Sequence, residues 1–173
     1  MMRRVTAMLL AVTMLAALCA AAADEPVVMA SFDCEDLDGN PADISLFDGA
    51  QLVLLDIWEP WCGWCLKEMP DLNDLYQLNR DRGFLVVGLS GLSPAGGFDA
   101  GSTAAELGIT YPLVNGTAEL VPVKLQGFPT TLVYQRREDE SLQLADVVVG
   151  YLPREKWIEY LKGYLPDLVT EAN

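Results

Sequence analysis

The chain has 173 residues, 51% of them hydrophobic, and carries 11 Lys+Arg against 25 Asp+Glu, a formal net charge of −14. This length and apolar content fit one folded domain with a short additional segment, and they exclude a disordered chain. The chain has no His, which excludes Ser-His and Cys-His catalysis and His-ligated zinc or copper. Such an acidic body repels phosphate backbones, so we expect no nucleic-acid partner.

The N-terminus has the pattern of an export signal. Arg3 and Arg4 precede an apolar stretch over residues 5–18, and alanines at 20–23 follow before Asp24. This predicts a signal peptide over residues 1–23 and a domain over residues 24–173 that faces a periplasmic or other extracytoplasmic, oxidising compartment. Lipidation of Cys19 and an uncleaved membrane anchor are the alternatives.

Apolar runs and turn residues predict the elements that follow. Continuous apolar runs indicate buried strands, helical spacing indicates amphipathic helices, and Gly and Pro mark the breaks. In chain order we expect a β-hairpin over 31–47, a buried strand over 52–58, a helix over 62–82 with Pro70 inside it, a strand over 84–89, a loop over 90–101, a weak helix over 103–107, strands over 130–134 and 143–149, and a last helix over 153–164. This order predicts a single α/β domain.

Two cysteines, Cys62 and Cys65, stand three positions apart where the buried strand gives way to the helix. At a helix N-terminus, unpaired N–H groups and the helix dipole stabilise a thiolate, and a cysteine one turn later can close a disulfide onto it. Such a pair exchanges disulfides: Cys62 attacks and Cys65 resolves. A static disulfide and half of a metal site are the alternatives, but a metal would need further ligands and only Cys34 is left in the exported part, so we expect no metal.

With these two cysteines, the sequence resembles the thioredoxin superfamily, specifically its exported TlpA/ResA-like branch. The resemblance covers residues 30–165. The resemblance implies a thioredoxin-like fold, with a central mixed β-sheet flanked by helices and an N-terminal β-hairpin extension, and a thiol-disulfide oxidoreductase that needs no cofactor. The matching positions are Asp56, Trp58, Trp61, Cys62, Gly63, Cys65, Pro70, the run 65–70 and a cis-proline loop at 127–131. Trp64 departs from the pattern, because thioredoxin has Pro there and DsbA-like oxidants have His.

The site residues divide by expected role. Cys62 and Cys65 are expected to be catalytic, and Asp56 and Glu68 are expected to tune the redox chemistry or transfer protons. The alternative for Asp56 is a solvated strand end, and the alternative for Glu68 is a solvated helix residue. A substrate groove is expected from Trp61, Gly63, Trp64, Phe128, Pro129 and Thr130. Within it, Trp61 is interpreted chiefly as packing, and Trp64 either contacts partners or packs over the disulfide. Cys34 is interpreted as inert, with a regulatory or intermolecular thiol as the alternative.

The acidic surroundings of the cysteines favour a reductant, because negative charge disfavours a thiolate. The resemblance implies disulfide-bearing protein substrates, cytochrome c maturation among the possible processes, and a DsbD/CcdA-like membrane thiol transporter as electron donor. An oxidant or isomerase of the same fold and a non-catalytic binding or chaperone module are the alternatives. A peroxidase is disfavoured, because no Thr-x-x-Cys precedes the site.

Overall fold

The computed structural model describes residues 25–94 and 96–171. The signal peptide predicted over residues 1–23 lies outside them. Among the described residues, no helix is both long and apolar enough to cross a membrane. The elements in chain order are β1 (Cys34–Asp36), β2 (Pro41–Ala42), β3 (Leu52–Ile57), α1 (Gly63–Asn79), β4 (Phe84–Ser90), α2 (Ala100–Glu106), β5 (Leu113–Asn115), β6 (Thr130–Arg136), β7 (Leu142–Val149) and α3 (Arg154–Leu161).

The described strands form one mixed sheet of seven, in the order β2-β1-β5-β4-β3-β6-β7. β3 pairs in parallel with β4, and β4 with β5, so each connection must cross over, and α1 and α2 make these crossovers. β6 pairs antiparallel with both β3 and β7, and the short β1–β2 hairpin extends the other edge. The sheet confirms the expected thioredoxin-like class with its N-terminal hairpin extension.

Strand β3 is buried along its whole length and separates two apolar cores. Because side chains alternate across a strand, Leu52 and Leu54 point to one face and Val53 and Leu55 to the other. The first face packs against α1 and α3, and we call its core the helix-side core. The second face packs against the N-terminal extension, including Phe47, and is the extension-side core. Asp56 falls by this alternation on the helix-side face.

The predicted elements are present with shifted ends. The hairpin spans residues 34–42 and is followed by a 3-10 turn at Ile44–Phe47. Helix α1 ends at Asn79, passes through a 3-10 turn at Arg80–Arg82, and stops where Gly83 adopts a φ of 80°. Strand β5 has no counterpart among the predictions, because three residues are too few to show a period.

Candidate active site

The two cysteines of α1 form a disulfide at the start of the helix. Cys62 is the N-cap residue and its sulfur accepts the backbone N–H of Cys65 at 3.2 Å. The same sulfur therefore occupies the position where a thiolate would receive a hydrogen bond and the positive end of the helix dipole. Cys62 is 6% exposed and Cys65 is fully buried. Of the two, only Cys62 reaches the surface, where a substrate sulfur can approach it.

Asp56 is buried near the end of β3, on the face against which α1 packs. It is 1% exposed, so it is not a solvated strand end, and neither carboxyl oxygen has a hydrogen-bond partner among the described residues. Burial raises the pKa of Asp56 well above its usual value, and repulsion from Glu68 raises it further. A buried carboxyl group with a raised pKa holds its proton to higher pH than an exposed one and can accept or release a proton during a reaction.

Glu68 is also buried, although it lies on a helix that is partly exposed. Its side chain has no exposed surface, and one carboxyl oxygen accepts the backbone N–H of Leu152, just before α3. Burial raises the pKa of Glu68 to about 7, and the Leu152 hydrogen bond opposes that rise. Glu68 follows Cys65 by three positions on α1 and so lies on the same face of the helix. Two buried acids, Asp56 on β3 and Glu68 one turn past Cys65 on α1, thus lie close enough to repel each other.

The predicted groove residues lie around the disulfide in two different environments. Trp61 is 41% exposed and its ring meets that of Phe128 edge to face, with centroids 5.6 Å apart. The Phe128–Pro129 peptide bond is cis, as the family pattern implies. Gly63 is exposed, whereas Thr130 is buried and its hydroxyl donates to the Gly127 carbonyl at 2.8 Å. Because Thr130 is buried and lies in a strand that is paired on both sides, it supports the cis-proline loop from below and is not exposed to a substrate.

Trp64 packs against two side chains of the same protein and is still exposed to solvent. It is 59% exposed, and its ring stacks on Tyr151 at 5.3 Å. The Lys67 ammonium lies 5.3 Å from the Trp64 ring centroid and 4.6 Å from that of Tyr151. Cation–π attraction therefore holds the Lys67 ammonium against the aromatic pair.

Three residues of this region were not singled out from the sequence. Tyr151 completes the stack on Trp64, and the fully buried Glu59 accepts the Ser93 backbone N–H at 2.8 Å, which ties the loop after β4 to the segment before Cys62. Tyr111 is buried, and its hydroxyl has no hydrogen-bond partner among the described residues. In the sequence, each of these three residues is only a polar side chain within an apolar stretch. That pattern does not show which residues contact it in the folded protein.

The third cysteine of the described residues lies apart from this site. Cys34 is half-buried on β1, where burial and then the neighbouring Asp33 raise the pKa of its thiol. A raised thiol pKa lowers reactivity, which fits the inert interpretation. No cluster of three or more Cys, Asp or Glu side chains suited to a metal ion occurs in residues 25–94 and 96–171.

Comparison with known proteins gives a consistent result. The model of the AhpC/TSA family matches residues 27–132. The thiol-disulfide oxidoreductase ResA of Geobacillus kaustophilus is 25% identical over 137 residues, 78% of this chain and 75% of the relative. ResA of Oceanobacillus iheyensis is 26% identical over 147 residues, 80% of this chain and 68% of the relative.

Solved structures share the fold. A thioredoxin family thiol:disulfide interchange protein from Chlorobium tepidum superposes with a TM-score of 0.67 at 23% identity, covering 83% of this chain and 99% of that one. StoA from Bacillus subtilis superposes with a TM-score of 0.58 at 21% identity, covering 78% and 98%.

Proposed function

Because the chain belongs to the AhpC/TSA family and is a thiol-disulfide oxidoreductase, we propose that it acts outside the cytoplasm as a reductant of protein disulfides. The observation that carries the proposal is the burial of two acids, Asp56 on β3 and Glu68 one turn past Cys65 on α1, and among the described residues no cation contributes to the pKa of either. Negative charge there disfavours a thiolate, so the reduced form gains less stability than in an oxidant, and the dithiol gives up its electrons more readily.

The proposed reaction has two exchange steps. In the reduced protein, the Cys62 thiolate attacks one sulfur of a substrate disulfide; that S–S bond breaks, a Cys62–substrate bond forms, and the first substrate thiolate leaves. Cys65 then gives its proton to the Asp56 carboxylate and attacks the Cys62 sulfur. The second substrate thiolate leaves, so two electrons have passed to the substrate and the protein ends as the disulfide.

The surface around the disulfide supplies the proposed substrate groove. Trp61 and Phe128 form an aromatic wall on one side, next to the cis-proline loop that precedes β6, and we expect an extended peptide to lie along this loop. Trp64, with Tyr151 and Lys67, borders the groove on the helix side. Trp64 stays exposed there and is available to a partner.

Several parts of the proposal rest on the resemblance to the TlpA/ResA-like branch. These are recharging by a DsbD/CcdA-like membrane thiol transporter, and apocytochrome c cysteines as a substrate during cytochrome c maturation. The export signal over residues 1–23 and the periplasmic location are instead proposed from the basic, apolar and small-residue pattern of the N-terminus. The relatives named ResA support the oxidoreductase chemistry on which these parts depend.

The reduction potential is the direct test. Because Trp61 and Trp64 flank the disulfide, a glutathione or dithiothreitol titration can be followed by Trp fluorescence. We expect a value nearer the thioredoxin potential of about −270 mV than the DsbA potential of about −120 mV. A value near that of DsbA would overturn the reductant in favour of an oxidant. Failure to reduce insulin disulfides at all would favour a binding module.

Single cysteine variants test the assigned order of attack. Cys65→Ser should accumulate mixed disulfides with a substrate protein, because the resolving thiol is missing. Cys62→Ser, the matched control, should not, because Cys65 is buried. Trapping through Cys65 in place of Cys62 would reverse the two roles.

A further inference from the structure

Tyr111 is held firmly in the segment between α2 and β5. Asn73 on α1 accepts the backbone N–H of Thr110 at 2.8 Å and its hydroxyl at 2.9 Å, and donates to the Gly108 carbonyl at 3.3 Å. These three bonds fasten the residues just before Tyr111 to α1. The Tyr111 ring is 2% exposed and meets the ring of Tyr76 edge to face. The position of its hydroxyl is therefore defined by α1.

The sheet provides a gap for this ring next to Asp56. Gly88 on β4 is the direct register partner of Asp56, so the two positions share the helix-side face. A Cβ atom at Gly88 would lie 3.1 Å from Cε2 of Tyr111 and 3.0 Å from Nε1 of Trp58. The absence of a side chain at Gly88 thus lets the Tyr111 ring pack directly on the sheet, one strand away from the Asp56 carboxyl.

Buried donors and acceptors without partners among the described residues occur around Gly88: the Trp58 indole N–H, the Tyr111 hydroxyl and the Asp56 carboxyl. The Tyr111 hydroxyl and both Asp56 carboxyl oxygens are buried and make no hydrogen bond among the described residues. Buried polar groups in native proteins are paired in the great majority of cases, directly or through water, and exceptions concentrate at sites with a chemical role. A phenol facing an acid is a suitable pair, because the phenol can donate to the carboxylate once it ionises.

We propose that Tyr111 is a positioning residue for the redox site: its hydroxyl donates a hydrogen bond, directly or through one water, to the ionised Asp56 carboxylate. The bond stabilises Asp56 in the state that accepts the Cys65 proton. This inference rests on the proposed role of Asp56 as that proton acceptor.

The surroundings leave few other groups for this task. From β4, β6 and α3 the neighbours of Asp56 on this face are Gly88, Thr131 and Trp157, none of which is charged. The titratable groups that interact with Asp56 from the remaining elements are Glu68 on α1 and Tyr111 itself. Cys62 and Cys65 are joined in the disulfide and do not titrate in this form. Glu68 repels an ionised Asp56, whereas the Thr131 side chain lowers the pKa of Asp56 and so stabilises its charged form. Tyr111 is a further donor for that carboxylate, since its hydroxyl is buried without a hydrogen-bond partner among the described residues.

The hydroxyl keeps its proton throughout the relevant range. Burial raises the pKa of Tyr111 well above its usual value, and repulsion from Asp56 and Glu68 adds to the rise. Tyr111 therefore remains a donor at every pH at which the two acids titrate.

The test is a pH titration of the Asp56 carboxyl carbon by ¹³C NMR in the disulfide form of the protein. Tyr111→Phe removes one oxygen and keeps the ring, and should raise the Asp56 midpoint by about one pH unit, the size expected for one hydrogen bond to a charged group. Tyr134→Phe is the matched control. Tyr134 is equally buried at 2% but lies in the extension-side core, so its variant should leave the midpoint unchanged.

A kinetic measurement extends the test to the reaction. The pH profile of mixed-disulfide resolution should move upward in Tyr111→Phe by the same amount, and in an Asp56→Asn background the substitution should no longer move it. Equal midpoints in the wild type and folded Tyr111→Phe would overturn the proposal. So would an equal shift in Tyr134→Phe, or a shift that persists in full without Asp56. An oxidant-like potential would contradict the proposed direction of the reaction and leave the carboxyl titration intact, so the two failures are distinguishable.

Discussion

At the scale of single residues, Glu68 couples the pH of the solution to the stability of the fold. Burial raises its pKa from 4.5 to about 7. Between these two values the folded chain holds a proton that the unfolded chain has released. The free energy of unfolding therefore falls as the pH rises from about 4.5 to about 7, because ionising Glu68 in the folded protein has a cost that the unfolded chain does not have.

Glu68→Gln should remove this pH dependence. Relative to the wild type, the variant should gain about 3 kcal/mol in unfolding free energy between about pH 4.5 and about pH 7.5. Urea unfolding at both pH values measures the change. Glu106→Gln, at an exposed helical position, serves as the control and should follow the wild-type curve. A parallel pH dependence in wild type and Glu68→Gln would contradict a buried, titrating Glu68.

The same substitution should alter the chemistry of the cysteines. Without the Glu68 charge, alkylation of reduced Cys62 should lose its step near pH 7 and shift to lower pH, because a thiolate then meets less repulsion. The potential should become less reducing, since the reduced form gains stability. An alkylation profile and potential equal to those of the wild type would separate Glu68 from the redox pair.

At the scale of elements, Arg136 joins the sheet to the N-terminal extension. Its guanidinium donates to the carbonyl oxygens of Ala50 at 2.6 Å and Phe47 at 2.7 Å, and to that of Glu140 at 2.7 Å. The first two acceptors lie in and just after the 3-10 turn that packs Phe47 into the extension-side core. One side chain at the end of β6 thus satisfies the carbonyls of a segment that has no sheet partner there.

Arg136→Met should therefore destabilise the protein by about 2 kcal/mol, the scale of losing hydrogen bonds from a charged donor to buried acceptors. Arg137→Met is the matched control, since Arg137 is exposed and bonds only the Gln135 side chain; it should cost roughly 0.5 kcal/mol or less. Urea unfolding gives both values, and hydrogen exchange should show the Arg136→Met loss concentrated over residues 44–50. An equal loss of unfolding free energy in the two variants would show that the Arg136 hydrogen bonds do not hold the N-terminal extension to the sheet.

At the scale of the whole molecule, excess negative charge is the dominant electrostatic feature. The chain carries a net charge of −14, and the described residues contain one ion pair, Lys156–Glu159, which is exposed. Such a charge destabilises the compact state through self-repulsion and attracts cationic partners. Added salt screens both effects.

We expect sodium chloride to raise the unfolding free energy, by roughly 1 kcal/mol between about 10 mM and about 0.5 M. Exchange with a basic disulfide peptide should slow over the same range, whereas exchange with an acidic peptide of equal length should accelerate. Urea unfolding and stopped-flow Trp fluorescence measure the two effects. The same salt dependence for both peptides would show that the net charge does not steer substrates.

Local patterns were enough to predict the chemistry of the cysteines and a single α/β domain, and the resemblance to the thioredoxin superfamily specified the fold within that class. The start of a helix at Cys62, directly after a buried strand, depends on neighbours within one turn, and the apolar run at 52–57 is a sufficient signal for a strand buried on both faces. The end of the helical segment at Gly83 was also predictable, because a glycine with positive φ ends a helix through its own backbone conformation.

Tertiary structure alone decided which polar groups meet behind the disulfide. Glu68 bonds the Leu152 amide from 84 positions away, and Tyr111 packs on the strand next to Asp56 because the register sets Gly88 opposite that residue. Neither fact has a periodic signature, since strand register and helix docking result from all of the packing at once. The sequence by itself thus determined a dithiol on a thioredoxin-like fold. The burial that raises the pKa values of its two acids arises only when distant segments exclude water around them.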